Sequence, residues 1–130
     1  MPSPNEKIIS EKDEIWFDEN QIARIRIFEE VELEEKDMER QFESYEKLGI
    51  NENNLKPVVV DASLGFTINK EARELTAKRT KFYFNAAAVV SNSLSTRLII
   101  NFLNSFYNFG LPIKLFRTEK EALKWIAKYK

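Results

Sequence analysis

Pro57-Val58-Val59-Val60-Asp61 is a continuous apolar run with a polar end. A strand with one solvated face alternates apolar and polar residues, so a run without alternation is expected of a strand buried on both faces, as parallel strands are. A second such run, Ala86-Ala87-Ala88-Val89-Val90-Ser91, follows. Between the two, Thr67 or Asn69 is placed to cap a helix carrying Ile68, Ala72 and Leu75. After the second run, Ser93 or Ser95 caps a long helix through Phe109 with Leu94, Leu98, Phe102 and Phe106 on one stripe, and Gly110 and Pro112 end it. Ile113–Phe116 reads as a third strand of this kind, and Thr118 with Glu121 forms a capping box for a last helix, Glu119–Tyr129.

Toward the N-terminus the pattern is different. Glu14–Phe17 and Ile22–Phe28 are alternating runs, the second with Ala23, Ile25 and Ile27 on one face, and the polar turn Asp18–Gln21 joins them into a β-hairpin. Glu34–Leu48 then carries Met38, Phe42, Tyr45 and Leu48 at spacings of four, three and three, an amphipathic helix stopped by Gly49. The order is β-β-α-β-α-β-α-β-α. Strands that alternate with helices predict an α/β fold: a mixed, mostly parallel sheet with the hairpin at its antiparallel side and about four helices, mainly on one face. No repeat, low-complexity tract or linker divides residues 1–130, so one domain is expected, with residues 1–6 a flexible start.

Composition excludes much of catalysis. The 130 residues contain no histidine and no cysteine, which removes imidazole and thiolate nucleophiles, histidine-ligated metals and disulfides. Glycine occurs only at 49, 65 and 110, so neither of the glycine-rich phosphate-cradling motifs can be written. No cofactor and no metal is expected. The longest apolar run, Ala86–Val90, is far below the roughly 20 residues that span a bilayer, and no signal-peptide core follows Met1–Asn5; a cytoplasmic location without membrane insertion is the expectation.

Charge is unevenly distributed. Met1–Asn54 holds 16 acidic and 7 basic residues, a net of −9, whereas Leu55–Lys130 holds 5 acidic and 13 basic, a net of +8. Such asymmetry marks either a basic partner-binding surface or two halves that neutralise each other when packed.

The element order, with the strings Val58–Ser63, Glu71-Ala72-Arg73, Ala86–Ser91 and Leu115–Trp125, resembles the bacterial STAS-like proteins, relatives of the anti-sigma-factor antagonists. The resemblance implies a non-catalytic regulatory module that acts by binding a protein or a small ligand. In the antagonists, a strand ending in Asp is followed by an Asp-Ser at the next helix start, where a kinase phosphorylates serine. Here Asp61 matches the strand end, but the helix start reads Phe66-Thr67-Ile68-Asn69-Lys70 with no Asp-Ser, so Ser63 and Thr67 stand as displaced candidates.

The loop has a physical interest of its own. It leaves the carboxyl end of a buried strand and enters a helix N-terminus, where free N–H groups and the helix dipole favour an anion. Asp61, Ser63, Thr67, Asn69 and Arg73 are therefore the candidate partner- or anion-binding residues, with residues 61–78 as the contact surface; the alternative is that Asn69 or Thr67 only caps the helix and Asp61 and Ser63 only organise a turn. A second candidate is the helix bearing Phe102, Phe106, Tyr107 and Phe109, uncharged after Arg97. A helix so poor in charge is buried on two sides, covers a second copy in a homodimer, or walls a pocket for a small hydrophobic, lipid-like ligand. Lys78–Phe84 interleaves basic and aromatic residues, but one cluster in a chain of pI about 5.7 is no nucleic-acid footprint, and no nucleic-acid partner is expected. Asp61, Glu71, Arg73 and Glu74 lie close in sequence, yet read as a charged helix surface rather than a catalytic pair.

Overall fold

A computed structural model describes residues 6–130. The expectation of a flexible start falls on residues 1–5, outside the described residues, and on Glu6, which is exposed. The elements are β1 (Ile8–Ile9), β2 (Asp13–Phe17), β3 (Ala23–Ile27), β4 (Val31–Leu33), α1 (Glu35–Lys47), β5 (Lys56–Asp61), β6 (Phe66–Ile68), α2 (Lys70–Arg79), β7 (Phe84–Val90), α3 (Leu94–Phe106), β8 (Ile113–Phe116) and α4 (Glu119–Ile126), with single 3₁₀ turns after α2 and α4.

Six strands form the main sheet in the order β1-β2-β3-β5-β7-β8. β1, β2 and β3 pair antiparallel, and β3-β5-β7-β8 pair parallel. The hairpin turn is built by Asp18, whose carboxylate accepts the N–H groups of Asn20 (2.9 Å) and Ile22 (3.0 Å). Pairing on both edges, with helices on both faces, is why β5 and β7 show no alternation. Val58, Ala87 and Val89 face a large cluster with Met38, Phe42 and Tyr45 of α1, Ala72 of α2 and Ile100 and Leu103 of α3. Val59, Ala86, Ala88 and Val90 face the other way, against Ala122 and Ile126 of α4. The alanines of β7 allow α4 to lie close to the sheet.

Three expectations are corrected. Ile68 belongs to a strand: Phe66–Ile68 pairs parallel with Val31–Leu33 in a separate two-stranded sheet, and α2 starts only after Asn69. The long helix ends at Phe106, because Tyr107 turns to extended backbone (φ −126, ψ 142); Phe109 then rotates into the core ahead of Gly110, which sits at φ +75. The last helix is α-helical to Ile126, and Ala127–Tyr129 tighten into 3₁₀ geometry.

Acidic groups fasten the N-terminal half. Asp37 accepts the Glu34 N–H (2.8 Å) and Lys12 Nζ (2.8 Å), closing the capping box of α1. Burial acts to raise the Asp37 pKa, but Lys12 and the Glu34 N–H outweigh it and hold the carboxyl below its ordinary 3.8. Glu14 is likewise held below 4.5: burial opposes its charge, and Arg26 (3.0 Å) and Lys7 (3.1 Å) overcome it. A carboxyl whose native pKa is lowered adds stability that is complete above its unfolded pKa and disappears as pH falls through the native one. Unfolding midpoints in urea should therefore be flat above about pH 5 and drop below the 4.5 and 3.8 of the free groups. Lys12→Met should make the acid-side drop shallower; an unchanged slope would show that Asp37 does not carry it.

Candidate functional site

The loop after β5 is a compact turn. Asp61 Oδ1 accepts both the Ser63 N–H (3.0 Å) and the Ser63 hydroxyl (2.6 Å), and Ser63 is exposed. Thr67 is exposed on β6, in register with Glu32 of β4. Asn69 is the cap of α2, its side chain accepting the Ala72 N–H at 2.9 Å. Arg73, one turn into α2, folds back so that Nη1 donates to the Ile68 carbonyl (2.8 Å), and its guanidinium lies 5.7 Å from the centre of the Phe102 ring. Arg73 thus ties the start of α2 to α3 across the end of β6. Asp61 and Ser63 are held together, and Thr67 and Arg73 share a groove with Ile68, Leu98, Ile99 and Phe102.

Helix α3 presents two apolar faces. At about 100° per residue, Thr96, Ile100 and Leu103 fall on one side and are buried. The residues spaced by four precess around the other side: Leu94 is 72% exposed, Leu98 59%, Phe102 42% and Phe106 73%. Burial on both sides is therefore corrected: α3 is covered on one side within the chain. Of the four aromatic candidates, Phe102 and Phe106 meet in a tilted pair outside (centroids 4.6 Å apart), Tyr107 is half-buried against Phe109, and Phe109 is in the core. Leu94 and Leu98 extend this surface; their four-residue spacing marked the stripe, but not the side it faces.

Inside, a cavity of about 140 Å³ lies between the sheet and the helices α1, α2 and α3. Of its wall, α2 contributes Thr76 and β7 contributes Phe84, Ala87 and Val89. Phe42, Phe84, Ile100, Leu103 and Phe109 line it, and none of its lining residues is charged. Phe109 alone of the predicted pocket residues belongs to this wall. Thr76 also lines it, with a buried hydroxyl that has no hydrogen-bond partner.

The other clusters are placed as follows. Within Lys78–Phe84, Tyr83 and Phe84 are buried and the Arg79 guanidinium lies 4.6 Å from the Phe42 ring centre, leaving Lys78, Lys81 and Phe82 exposed. Tyr83 donates to Glu46 (2.7 Å) and accepts from Arg79 (2.9 Å); burial and Glu46 push its pKa up against Arg79. Glu71 and Glu74 are exposed on α2, Glu74 facing Lys70 at 3.9 Å. Among the described residues no group of acidic side chains is arranged to hold a metal ion, and no helix is long and apolar enough to cross a membrane.

Among solved structures, the chain is similar to an uncharacterised protein of the DUF3478 family with a SpoIIAA-like fold from Shewanella loihica PV-4, at 17% identity and a TM-score of 0.56, covering 97% of this chain and 98% of that one. The shared fold is the STAS-like one that the strand order and the resemblance predicted. A search of curated proteins gives no match. Residues 15–130 match the family model described as a domain of unknown function, DUF7793, and the chain belongs to that family.

Proposed function

We propose that this chain is a non-catalytic, cytoplasmic binding module that docks a protein partner on the outer stripe of α3 and the adjoining groove at the start of α2. The observation that carries this reading is the row Leu94, Leu98, Phe102 and Phe106, exposed along one side of a helix with Arg97 as its single charge. Scattered surface leucines need no explanation, whereas a contiguous apolar row beside a polar rim is typical of interaction surfaces. The rim is basic: Arg73 borders Phe102 and Arg97 precedes Leu98, within a C-terminal part of net charge +8 from Leu55 onward. The partner that suits it is an apolar segment flanked by acidic residues. The site thus takes in Thr67 and Arg73 of the predicted 61–78 surface and extends it to α3.

A photo-crosslinking residue at position 98, in cells that express the protein naturally, should give a discrete heterologous adduct. The same probe at Glu39, exposed on α1, should not, and Phe102→Asp should remove most of the position-98 adduct while leaving the fold intact. An adduct of twice the chain mass would assign the stripe to a homodimer instead. No adduct at all, or equal adducts from both positions, would end the docking reading.

A second reading, carriage or sensing of a small apolar ligand, is favoured by the uncharged cavity under α3 rather than by Phe102 and Phe106.

A further inference from the structure

We propose that the chain attaches peripherally to an anionic lipid bilayer through the outer face of α4 and the adjoining β8. The segment Ile113–Lys130 carries Lys114, Arg117, Lys120, Lys124, Lys128 and Lys130 against only Glu119 and Glu121, a side-chain net of +4. All six cations are exposed, and among the described residues none is within ion-pair distance of a carboxylate. Both acids are engaged at the helix start, Glu119 by Arg24 and Glu121 by the Thr118 hydroxyl (3.0 Å). At about 100° per residue, Lys120 and Lys124 fall within about 40° of the direction opposite the buried Ala122 and Ile126, about 6 Å apart along the axis. Lys128 follows in the 3₁₀ turn. A cluster of four to eight Lys and Arg on an amphipathic helix is the pattern that anionic headgroups attract.

Two further observations point to a bilayer. Beside the lysines, half-buried Trp125 lies between Phe116 and Tyr129 (centroids 5.6 and 5.0 Å), with Lys128 over Trp125 and Tyr129 and Lys114 over Phe116. Half-buried Trp and Tyr with lysine stems across them suit the boundary between acyl chains and water. They suit single-stranded nucleic acid less well, since base stacking needs a free ring face and Trp125 has a ring on either side, while the lysines stand on a ridge rather than in a groove. The second observation is polarity across the molecule. The sheet runs in chain order, so the strands of the acidic N-terminal part, of net charge −9, lie at the edge away from β8, and α1, α2 and α3 pack on the face opposite α4. A negative surface therefore attracts the α4 side and repels the other, which leaves the outer stripe of α3 free for its partner.

The test sediments the full-length chain with vesicles of phosphatidylcholine alone and with about 30% phosphatidylserine, at about 0.05 M and about 0.5 M salt. The chain should pellet with the anionic vesicles at low salt, stay in solution with the neutral ones, and be released at high salt. Lys120→Glu with Lys124→Glu should lower the partition coefficient at least about tenfold, with the fold checked by circular dichroism. Lys36→Glu with Lys47→Glu, two exposed lysines of α1, changes the net charge equally and should leave binding within about twofold of wild type. Failure of the wild-type chain to pellet with anionic vesicles, or equal pelleting with neutral ones, would overturn the proposal without recourse to any variant. Equal losses from the α4 and α1 pairs would overturn the assigned face. Binding of a single-stranded oligonucleotide at a salt concentration where the vesicles do not bind would transfer the patch to nucleic acid and overturn the bilayer as its occupant.

Discussion

Asp13→Ala is expected to destabilise the protein by about 3–5 kcal/mol, the cost of breaking a buried ion pair by removing one partner. Asp13 lies on β2 on the same face as Ile15 and is 0% exposed. Its carboxylate is satisfied by both terminal nitrogens of Arg40 (2.9 and 2.8 Å), by Gln41 (2.9 Å) and by Ser10 (3.3 Å). Arg40 donates this bidentate fork, and its hydrogen bonds to Asp13 outweigh burial and raise its pKa; a guanidinium is not deprotonated in proteins, so it stays charged when the acid is deleted. A half-buried cation, left with only Asp37 at 3.8 Å, and the buried Gln41 amide then lose their acceptor together. For a chain of this size the thermal midpoint should fall by roughly 10–20 °C. The double variant Asp13→Leu with Arg40→Met should recover most of the loss, because a well-packed apolar pair often equals a buried ion pair in stability. A loss below about 1 kcal/mol for Asp13→Ala would mean that water reaches the site and screens it as it does a surface pair.

This cluster also shows what a sequence reading sees and what it does not. Val58–Val60 and Ala86–Val90 announced central strands because both of their faces are covered, and Thr118 with Glu121 announced a helix start, realised at 3.2 Å between the Glu121 N–H and the Thr118 hydroxyl. These are local signals. Asp13, by contrast, pairs with residues 27 and 28 positions later, and nothing in the string Lys12-Asp13-Glu14 says that the middle acid is wholly buried. The short strands Val31–Leu33 and Phe66–Ile68 were invisible for a similar reason: three residues carry too little periodicity, and their pairing is set by the turn of the chain around α1.

The candidate site was legible only in part. Asn69 as a cap and Asp61 with Ser63 as a turn follow from well-known side-chain habits at caps and turns. The orientation of α3 did not follow, since a helix apolar on two sides offers periodicity no means to choose the inward one. Nor could the cavity be foreseen: its wall is assembled from residues such as Phe42, Thr76, Ala87 and Leu103, on elements that meet only in the folded chain.

That ambiguity sets up the second large effect. Phe42→Ala should cost about 3–5 kcal/mol, as removal of a buried aromatic ring does. Phe42 is buried on α1, stacked on Tyr83 (centroids 4.9 Å apart), edge-on to Tyr45 (6.0 Å) and covered by Arg79 at 4.6 Å; Tyr45 in turn meets Phe84 of β7 (4.7 Å). The ring therefore links α1, through Tyr83 and Tyr45, to the start of β7 and walls the cavity as well, so its loss both enlarges the empty space and removes the nearer of the two rings that Arg79 lies over. Phe106→Ala, a change of the same chemistry on the 73% exposed side of α3, should stay within about 0.5 kcal/mol of wild type in urea titration. The contrast between the two discriminates sharply. If Phe106→Ala cost as much as Phe42→Ala, the outer stripe of α3 would already be covered in the isolated protein, for instance by a second copy, and it could not serve as a free docking surface; a small cost is what the proposed docking surface requires, an exposed row on α3 that chain stability does not account for.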